Sequence, residues 1–576
     1  MCGICGAAKR NSLVDLDAQV DRMNRALLHR GPDSEGRYSN GGVSMAMRRL
    51  AIIDLETGDQ PVSNEDKTIW VTLNGEVYNY LELGDSLRKK GHKFRTRSDT
   101  EVIAHGYEEY GISVVERIKG MFALVLYDTR KRCLYLARDR FGEKPLFYYS
   151  STDELVYSSE LASLMEWPGL PRETDREALG HYLRMGFTPE PLTLFRSIKQ
   201  LPAGCWLKWT ESETAINRYY HIDYSPDPAL RDDEAVHEQV GNALRNAVRR
   251  QAVSDVPLGA LLSGGIDSSI VAAMLQSISE DQVKTFTVRF EESTYDESPI
   301  ARAVADHLGT DHHEITITNA GFVPEDLWRI VDHCGTPFVD SSAIPTYVIS
   351  KHVREHVTVC VTGDGGDEMF AGYDDFMWSA YVARLARIPD LFLDMASVSL
   401  GVLSTAPGLR RSSRMRKGGR AIMAARQSDL LRFAMIHSLF LPREIRRLTQ
   451  GQEIEDTACG ALPLLTEQPD QANSWTRLRR DMYFRVRHIL PQDMLTKIDR
   501  MSMANSLELR APMLDPDLAE LTMKLPDRYL INGGIRKYVL RQIGQGILPP
   551  EVFAHPQTGF SIPLHSFQNA AYEDLA

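Results

Sequence analysis

The chain has 576 residues, 43% of them hydrophobic and 25% charged, enough apolar material for more than one core and too much for large-scale disorder. Lys and Arg number 66 against 78 Asp and Glu, a net charge of −12, which excludes the broad basic surface of a general nucleic-acid binder. Seven cysteines, odd in number and without the two C-x-x-C pairs of a structural zinc site, exclude a disulfide framework and point to a reducing, cytoplasmic setting. The start, Met1-Cys2-Gly3, has neither the charged nor the apolar region of a signal peptide, and no apolar run reaches the ~18 residues of a membrane span.

In chain order, the first ~200 residues alternate short β-rich runs with turns. Strands are expected over 43–53, 68–73, 121–127, 133–137 and 155–158, with a few helices, which implies layered sheets. Residues 219–233 (YYHIDYSPDPALRDD) turn polar and Pro-bearing, as a linker does. Residues 235–253 then place Val236, Val240, Leu244, Ala247 and Val248 on one helical face behind an Asp232-Asp233 start. Apolar strands over 256–262, 285–290 and 357–362 alternate with helices over 299–308 and 344–356, the order of an α/β parallel sheet. From about 376 to 530 the pattern is helical and carries little recognisable chemistry. The expected division is 1–210, a linker over 211–232, and 233–576.

Two glycine-rich runs follow apolar strands. In Leu261-Leu262-Ser263-Gly264-Gly265-Ile266-Asp267-Ser268-Ser269 the backbone N–H groups and hydroxyls can surround a phosphate at a helix N-terminus. The lysine of the Walker pattern is absent, and Asp267 would be repelled by a phosphate unless a divalent cation, Mg²⁺, lay between them. The second run, Thr362-Gly363-Asp364-Gly365-Gly366-Asp367-Glu368, again puts carboxylates at a strand's C-terminal end. In a parallel sheet the two ends line one crevice, so Asp267 and Asp367 could share the metal. At the N-terminus, removal of Met1 would leave Cys2 with both a thiol and an α-amine, the amine serving as the thiol's base. Taken singly, Asn74-Gly75 is also a hairpin signal and Ser98 with Glu101 a capping box. The histidines show no H-E-x-x-H spacing and receive no metal role.

Together, Cys2, His29-Arg30-Gly31-Pro32-Asp33, Arg48-Arg49, Asn74-Gly75-Glu76, Ser98-Asp99-Thr100-Glu101 and the two glycine-rich runs resemble the class II glutamine amidotransferases of the asparagine synthetase B type, over nearly the whole chain. The resemblance implies an N-terminal nucleophile αββα sandwich followed by a Rossmann-like parallel-sheet ATP-pyrophosphatase domain with helical elaboration. It implies glutamine hydrolysis in the first half, then adenylation of a carboxylate by ATP with release of pyrophosphate, and displacement of AMP by ammonia. Carried over by motif, Cys2 is the nucleophile, Asn74 and Gly75 form the oxyanion hole, and Arg49, Gly75, Glu76 and Asp99 bind glutamine. Leu261 and Val288 frame the adenine, Ser263, Gly264, Gly265, Asp267, Ser268 and Ser269 hold the phosphates beside Thr362 and Gly363, and Asp267 and Asp367 bind Mg²⁺. Lys537 reaches the phosphates, and Asp364 stands where aspartate-specific relatives carry Glu.

The acceptor is less determined. Aspartate-dedicated enzymes carry an arginine shortly before the proline matching Pro345; here Ser341 takes its place and Asp340 adds negative charge. A charge-assisted bond of roughly 1.5–3 kcal/mol is then missing. Aspartate is the leading acceptor, and a carboxylate of a cell-envelope, exopolysaccharide or other secondary-metabolite intermediate the alternative. The partners implied are small molecules, with neither nucleic acid nor a membrane span; homodimer formation is left open. The basic run 410–420 could attract an anionic acceptor or be a solvated loop.

Overall fold

The computed structural model describes residues 1–10, 15–290, 296–317, 324–403, 413–449 and 469–554. Seventeen strands make three main sheets. They are β1 (Cys2–Lys9), β2 (Ser34–Asn40), β3 (Val43–Arg49), β4 (Val62–Ser63), β5 (Ile69–Val77), β6 (Gly120–Asp128), β7 (Cys133–Arg138), β8 (Phe147–Ser150), β9 (Glu154–Ser158), β10 (Ile198–Gln200), β11 (Cys205–Trp209), β12 (Thr214–Arg218), β13 (Leu258–Leu261), β14 (Lys284–Phe290), β15 (Asp311–Ile317), β16 (Val359–Val361) and β17 (Glu508–Arg510). The first two sheets are six-stranded, in the orders β10-β8-β9-β1-β3-β2 and β12-β11-β7-β6-β5-β4.

Period-2 alternation decides how these two sheets stack. On β1, Ile4 and Ala8 face inward with Met45 and Met47, against Ala123, Val125, Leu134 and Leu136 of the second sheet. Their neighbours Cys5 and Ala7 face outward and pack on Val20, Met23 and Leu27 of and after helix α1 (Asp17–Arg25). On the second sheet, Val71, Leu73, Phe122 and Leu124 face out against helices α2 (Tyr80–Lys89) and α3 (Glu101–Tyr110). The result is the αββα sandwich. β12 is the edge strand of its second sheet, so the stretch expected to be linker from 211 carries sheet structure before the next helix starts at Asp233.

The third sheet is parallel, in the order β15-β14-β13-β16-β17. β13 has β14 on one side and β16 on the other, so the chain reverses its winding direction there. In such sheets the crevice beyond the strand ends at that point is where ligands bind. The observed helix Asp233–Gln251 and strands 258–261, 284–290 and 359–361 lie within a few residues of the sequence reading.

The helical stretch after residue 376 holds an irregularity. A continuous helix from Arg477 to Met503 includes a π-helical segment, Arg485–Met494, around Pro491. Proline supplies no N–H to the ladder, and the wider i→i+5 turn absorbs the fault. Every residue from Leu495 to Met503 is buried, Lys497, Asp499 and Arg500 among them. This helix reaches the sandwich, where Arg30 donates to both oxygens of Asp499 at 2.9 and 3.0 Å. No helix among the described residues is long and apolar enough to cross a membrane.

Candidate active sites

The residues expected to handle glutamine converge at one end of the sandwich. Cys2 and Arg49 are direct register partners on β1 and β3. Asn74 comes from the facing sheet, and its Oδ1 accepts the Cys2 N–H at 3.1 Å. The Asn74 Nδ2 is buried without a hydrogen-bond partner, an unused donor on an amide already bonded to the Cys2 backbone. Asn74-Gly75 is no hairpin turn but lies in the middle of β5. Gly75 is required there by a φ of +144° and by β6, whose Met121 carbonyl oxygen would sit 2.0 Å from a Cβ.

Arg49 is fixed by the carbonyl oxygens of Ile53 and Asp54, at 3.1 and 2.7 Å, and also donates to Asp59 at 3.0 Å. Asp59 is 69% exposed, so it is the partner an incoming carboxylate can replace. Asp99 accepts the Val77 N–H at 2.8 Å. Burial pushes the carboxyls of Asp99 and Glu76 up, and nearby carboxylates, Glu508 for both, push them further. The nearest side-chain cation of Glu76 is Arg510 at 3.9 Å; two buried acids so short of positive charge suit an ammonium group. Ser98 and Glu101 form no capping box: Glu101 instead accepts the backbone N–H groups of Arg95 and Thr96 at 2.8 and 2.7 Å.

Burial also pushes the Cys2 thiol up, so it is a poor nucleophile without a base. With Met1 in place the Cys2 nitrogen is an amide, and the free ammonium belongs to Met1, buried against Glu508 at 2.7 Å. The Met1 side chain packs with Leu50, Ile52 and Met121 of the sandwich and with Val359 and Met503 beyond it.

The expected phosphate cradle lies where the two glycine-rich loops after β13 and β16 approach each other closely. A Cβ on Gly363 would lie 2.5 Å from the Ser268 nitrogen, and one on Gly366 2.5 Å from the Asp267 carboxyl carbon. Gly264 turns the first loop at φ +78°, and Gly265 precedes the helix Ile266–Ile278. Ser263 and Ser268 hydroxyls are 3.0 Å apart, and the Ser269 hydroxyl is buried without a partner. Leu261 ends β13, Val288 lies on the adjacent β14, and the Thr362 N–H donates to the Arg510 carbonyl at 2.8 Å.

Lys537 is only 4% exposed. Its ammonium bonds Asp267 and lies 2.8 Å from Asp367. Burial would lower the lysine, but the two carboxylates outweigh it and hold it above its usual range; burial pushes Asp267 up. The second Asp267 oxygen, Oδ1, is buried and unpartnered. Two carboxylates converging on one cation, with a lone pair to spare, fit a hard divalent ion such as Mg²⁺.

Asp364 is half-buried, and burial raises its carboxyl. Near it the structure places groups that the sequence reading passed over. Lys497 donates to Asp340 and to the Ser342 hydroxyl, both at 2.9 Å. Arg485 stacks on Tyr373 at 3.2 Å, whose hydroxyl donates to Glu368 at 2.7 Å. The signal available was the density of charge in 477–500, too high for a buried helix unless each charge has a partner.

A glutamine amidotransferase domain model matches residues 1–220, and an asparagine synthase model matches residues 239–576. The chain belongs to the asparagine synthase family. Asparagine synthetase [glutamine-hydrolyzing] 1 of Bacillus subtilis is 33% identical over all of this chain and 89% of its own length. The B. subtilis protein named asparagine synthetase [glutamine-hydrolyzing] 3 is 29% identical over 96% of this chain and 85% of its own. Asparagine synthetase B of Escherichia coli is 32% identical over 65% of each. This asparagine synthase family member is therefore a ligase of the glutamine amidotransferase type, with ATP as co-substrate.

Of the expected cysteines, Cys5, Cys133, Cys205, Cys334 and Cys360 are buried; Cys459 lies outside the described residues. So do Arg410, Arg411 and Ser412 of the basic run, whose remainder opens the helix Ser413–Ala425.

Proposed function

We propose that this enzyme hydrolyses glutamine at Cys2, adenylates a carboxylate at the β13/β16 crevice, and joins the two half-reactions by passing ammonia between them. The carrying observation is the buried Lys537 between Asp267 and Asp367, directly against the glycine loops. A lysine so placed is not a surface residue; it can meet phosphate oxygens as charge builds on them.

With Met1 removed, the Cys2 amine takes the thiol proton and the sulfur attacks the glutamine amide carbon. Asn74 Nδ2 and the Gly75 N–H receive the oxyanion, and the Cys2 ammonium returns its proton to the leaving nitrogen as the C–N bond breaks. Ammonia leaves, and water then cleaves the thioester to glutamate and the free thiol. Arg49 holds the glutamine carboxylate, and Glu76 with Asp99 its ammonium. In the second half, the acceptor carboxylate attacks the α-phosphorus, the bond to the β-phosphate breaks, and pyrophosphate leaves. Asp267 and Asp367 would hold Mg²⁺, which supplies neutralisation of phosphate charge. Ammonia then attacks the acyl carbon and AMP departs. The apolar layer of Leu50, Ile52, Met121, Val359 and Met503 suits a sheltered path for it, and the functional division falls between residues 210 and 233.

Aspartate is the acceptor we favour. One observation favours a second reading, a different carboxylate: Ser341 offers no cation, and Lys497, the ammonium close by, is already neutralised by Asp340. Release of AMP and pyrophosphate with glutamine, measured over a panel of carboxylates, separates the two. Aspartate giving asparagine at the highest kcat/KM supports the first; aspartate inactive while another acid turns over replaces it.

A further inference from the structure

On the outer face of the sandwich, away from both loops just described, four side chains from three segments point their ligand atoms at one another. Glu65 lies in the β4–β5 loop, His92 follows α2, and His105 and Glu108 are one turn apart on α3. One atom from each lies within 4.8 Å of every other. His105 Nδ1 is 3.4 Å from both Glu65 Oε2 and Glu108 Oε2, and His92 Nδ1 is 3.5 Å from Glu108 Oε2.

These separations are long for hydrogen bonds, whose mode is about 2.9 Å. These three of the six separations match the edge of a tetrahedron around a metal with bonds of about 2.0–2.1 Å, which is about 3.3–3.4 Å, and the others, all under 4.8 Å, close to it with small side-chain movements. Three of the four ligands are also held from behind, as metal ligands are. His92 Nε2 meets Glu109 at 3.1 Å, while His105 Nε2 faces Glu101 at a longer 3.4 Å. Glu65 Oε1 accepts the Lys93 N–H at 2.8 Å, and Glu108 Oε1 accepts from Asn64 Nδ2 at 2.9 Å. Four carboxylates (Glu65, Glu101, Glu108, Glu109) thus surround two imidazoles, with Lys90 on Glu109 at 2.8 Å. Even with both rings protonated the acids outnumber these cations. His105 is fully buried, whereas Glu65 and Glu108 are 37% and 26% exposed, so an ion has a way in.

We propose that Glu65, His92, His105 and Glu108 form a tetrahedral site for a divalent transition cation of the zinc class. The N₂O₂ donor set suits Zn²⁺ over the all-oxygen preference of Mg²⁺. The ion would pin α3, which begins two residues after Asp99, to the β4–β5 loop. Sequence spacing conceals the site because the histidines are 13 apart and meet only when the loop after α2 folds back on α3.

The test is titration of the chelator-treated full-length protein with Co²⁺, in excess Mg²⁺ to occupy the crevice, followed by visible absorption and displacement by Zn²⁺. One equivalent should bind with four-coordinate cobalt absorption and no thiolate charge-transfer band. Glu108→Gln and His92→Gln, both at partly exposed positions, should each lose it, and Glu109→Gln should weaken it about tenfold. Absence of a stoichiometric equivalent in the unmutated protein overturns the proposal. So does an equivalent that survives Glu108→Gln or, should that variant misfold, Glu65→Gln.

Discussion

Cys2 and Asn74 carry the first half of the account, and their substitutions separate chemistry from folding. Asn74→Ala removes the unpartnered Nδ2 donor and should lower kcat for glutamine hydrolysis about 100- to 1,000-fold, the range for one oxyanion donor. KM should change less, because Arg49, Glu76 and Asp99 stay in place. A KM effect without a kcat effect would move Asn74 from the oxyanion to substrate binding. In the crevice, Lys537→Ala should stop pyrophosphate release while glutamine hydrolysis continues, read as glutamate formed without AMP. Most of these residues were legible as residue types in motifs. Their partners were not: neither the Cys2–Arg49 register nor the bridge from Lys537 to residues 270 and 170 positions away is written in local spacing.

At the scale of elements, the two glycine loops work as a pair. Gly363→Ala would thrust a methyl 2.5 Å from the Ser268 backbone nitrogen and force the loops apart. The expected result is loss of ATP-dependent turnover with unchanged glutaminase activity, checked by nucleotide binding. Normal ATP affinity would show that the loops move independently. The strands were readable because alternation and β-branched runs are local signals, and so was the parallel sheet, from the order of strands and helices. The π-helical stretch around Pro491 was not readable. It depends on groups distant in sequence, Tyr373 and the buried Glu368 beside Arg485, and burying charge along a helix is licensed only by tertiary contacts.

At the scale of the molecule, the halves meet through buried ion pairs. Arg30 joins Glu160 at 2.9 Å to Asp499 at 2.9 Å. Burial would raise both acids, but His29 and Arg30 pull Glu160 down, and Arg30 with Lys144 pull Asp499 down. Both carboxyls are thus ionised in the folded state below the pH at which the unfolded chain takes up protons, near 4. Their contribution is complete above about pH 5 and lost as pH falls below about 4. Arg30→Met strands Asp499, and such a loss costs about 3–5 kcal/mol, here towards the lower end because Lys144 and Arg500 remain nearby. Urea midpoints at pH 7 and pH 4 check this: the deficit should shrink at the lower pH, and an equal deficit at both would show that the pair acts through packing.

On the proposed function, one chain runs two separate chemistries joined by ammonia. Cys2→Ala, assayed with ATP, the preferred carboxylate and either glutamine or ammonium as nitrogen source, tests it most directly. This variant should form no amide from glutamine and keep an unchanged rate from ammonium. A rate from ammonium that falls together with the rate from glutamine would contradict it.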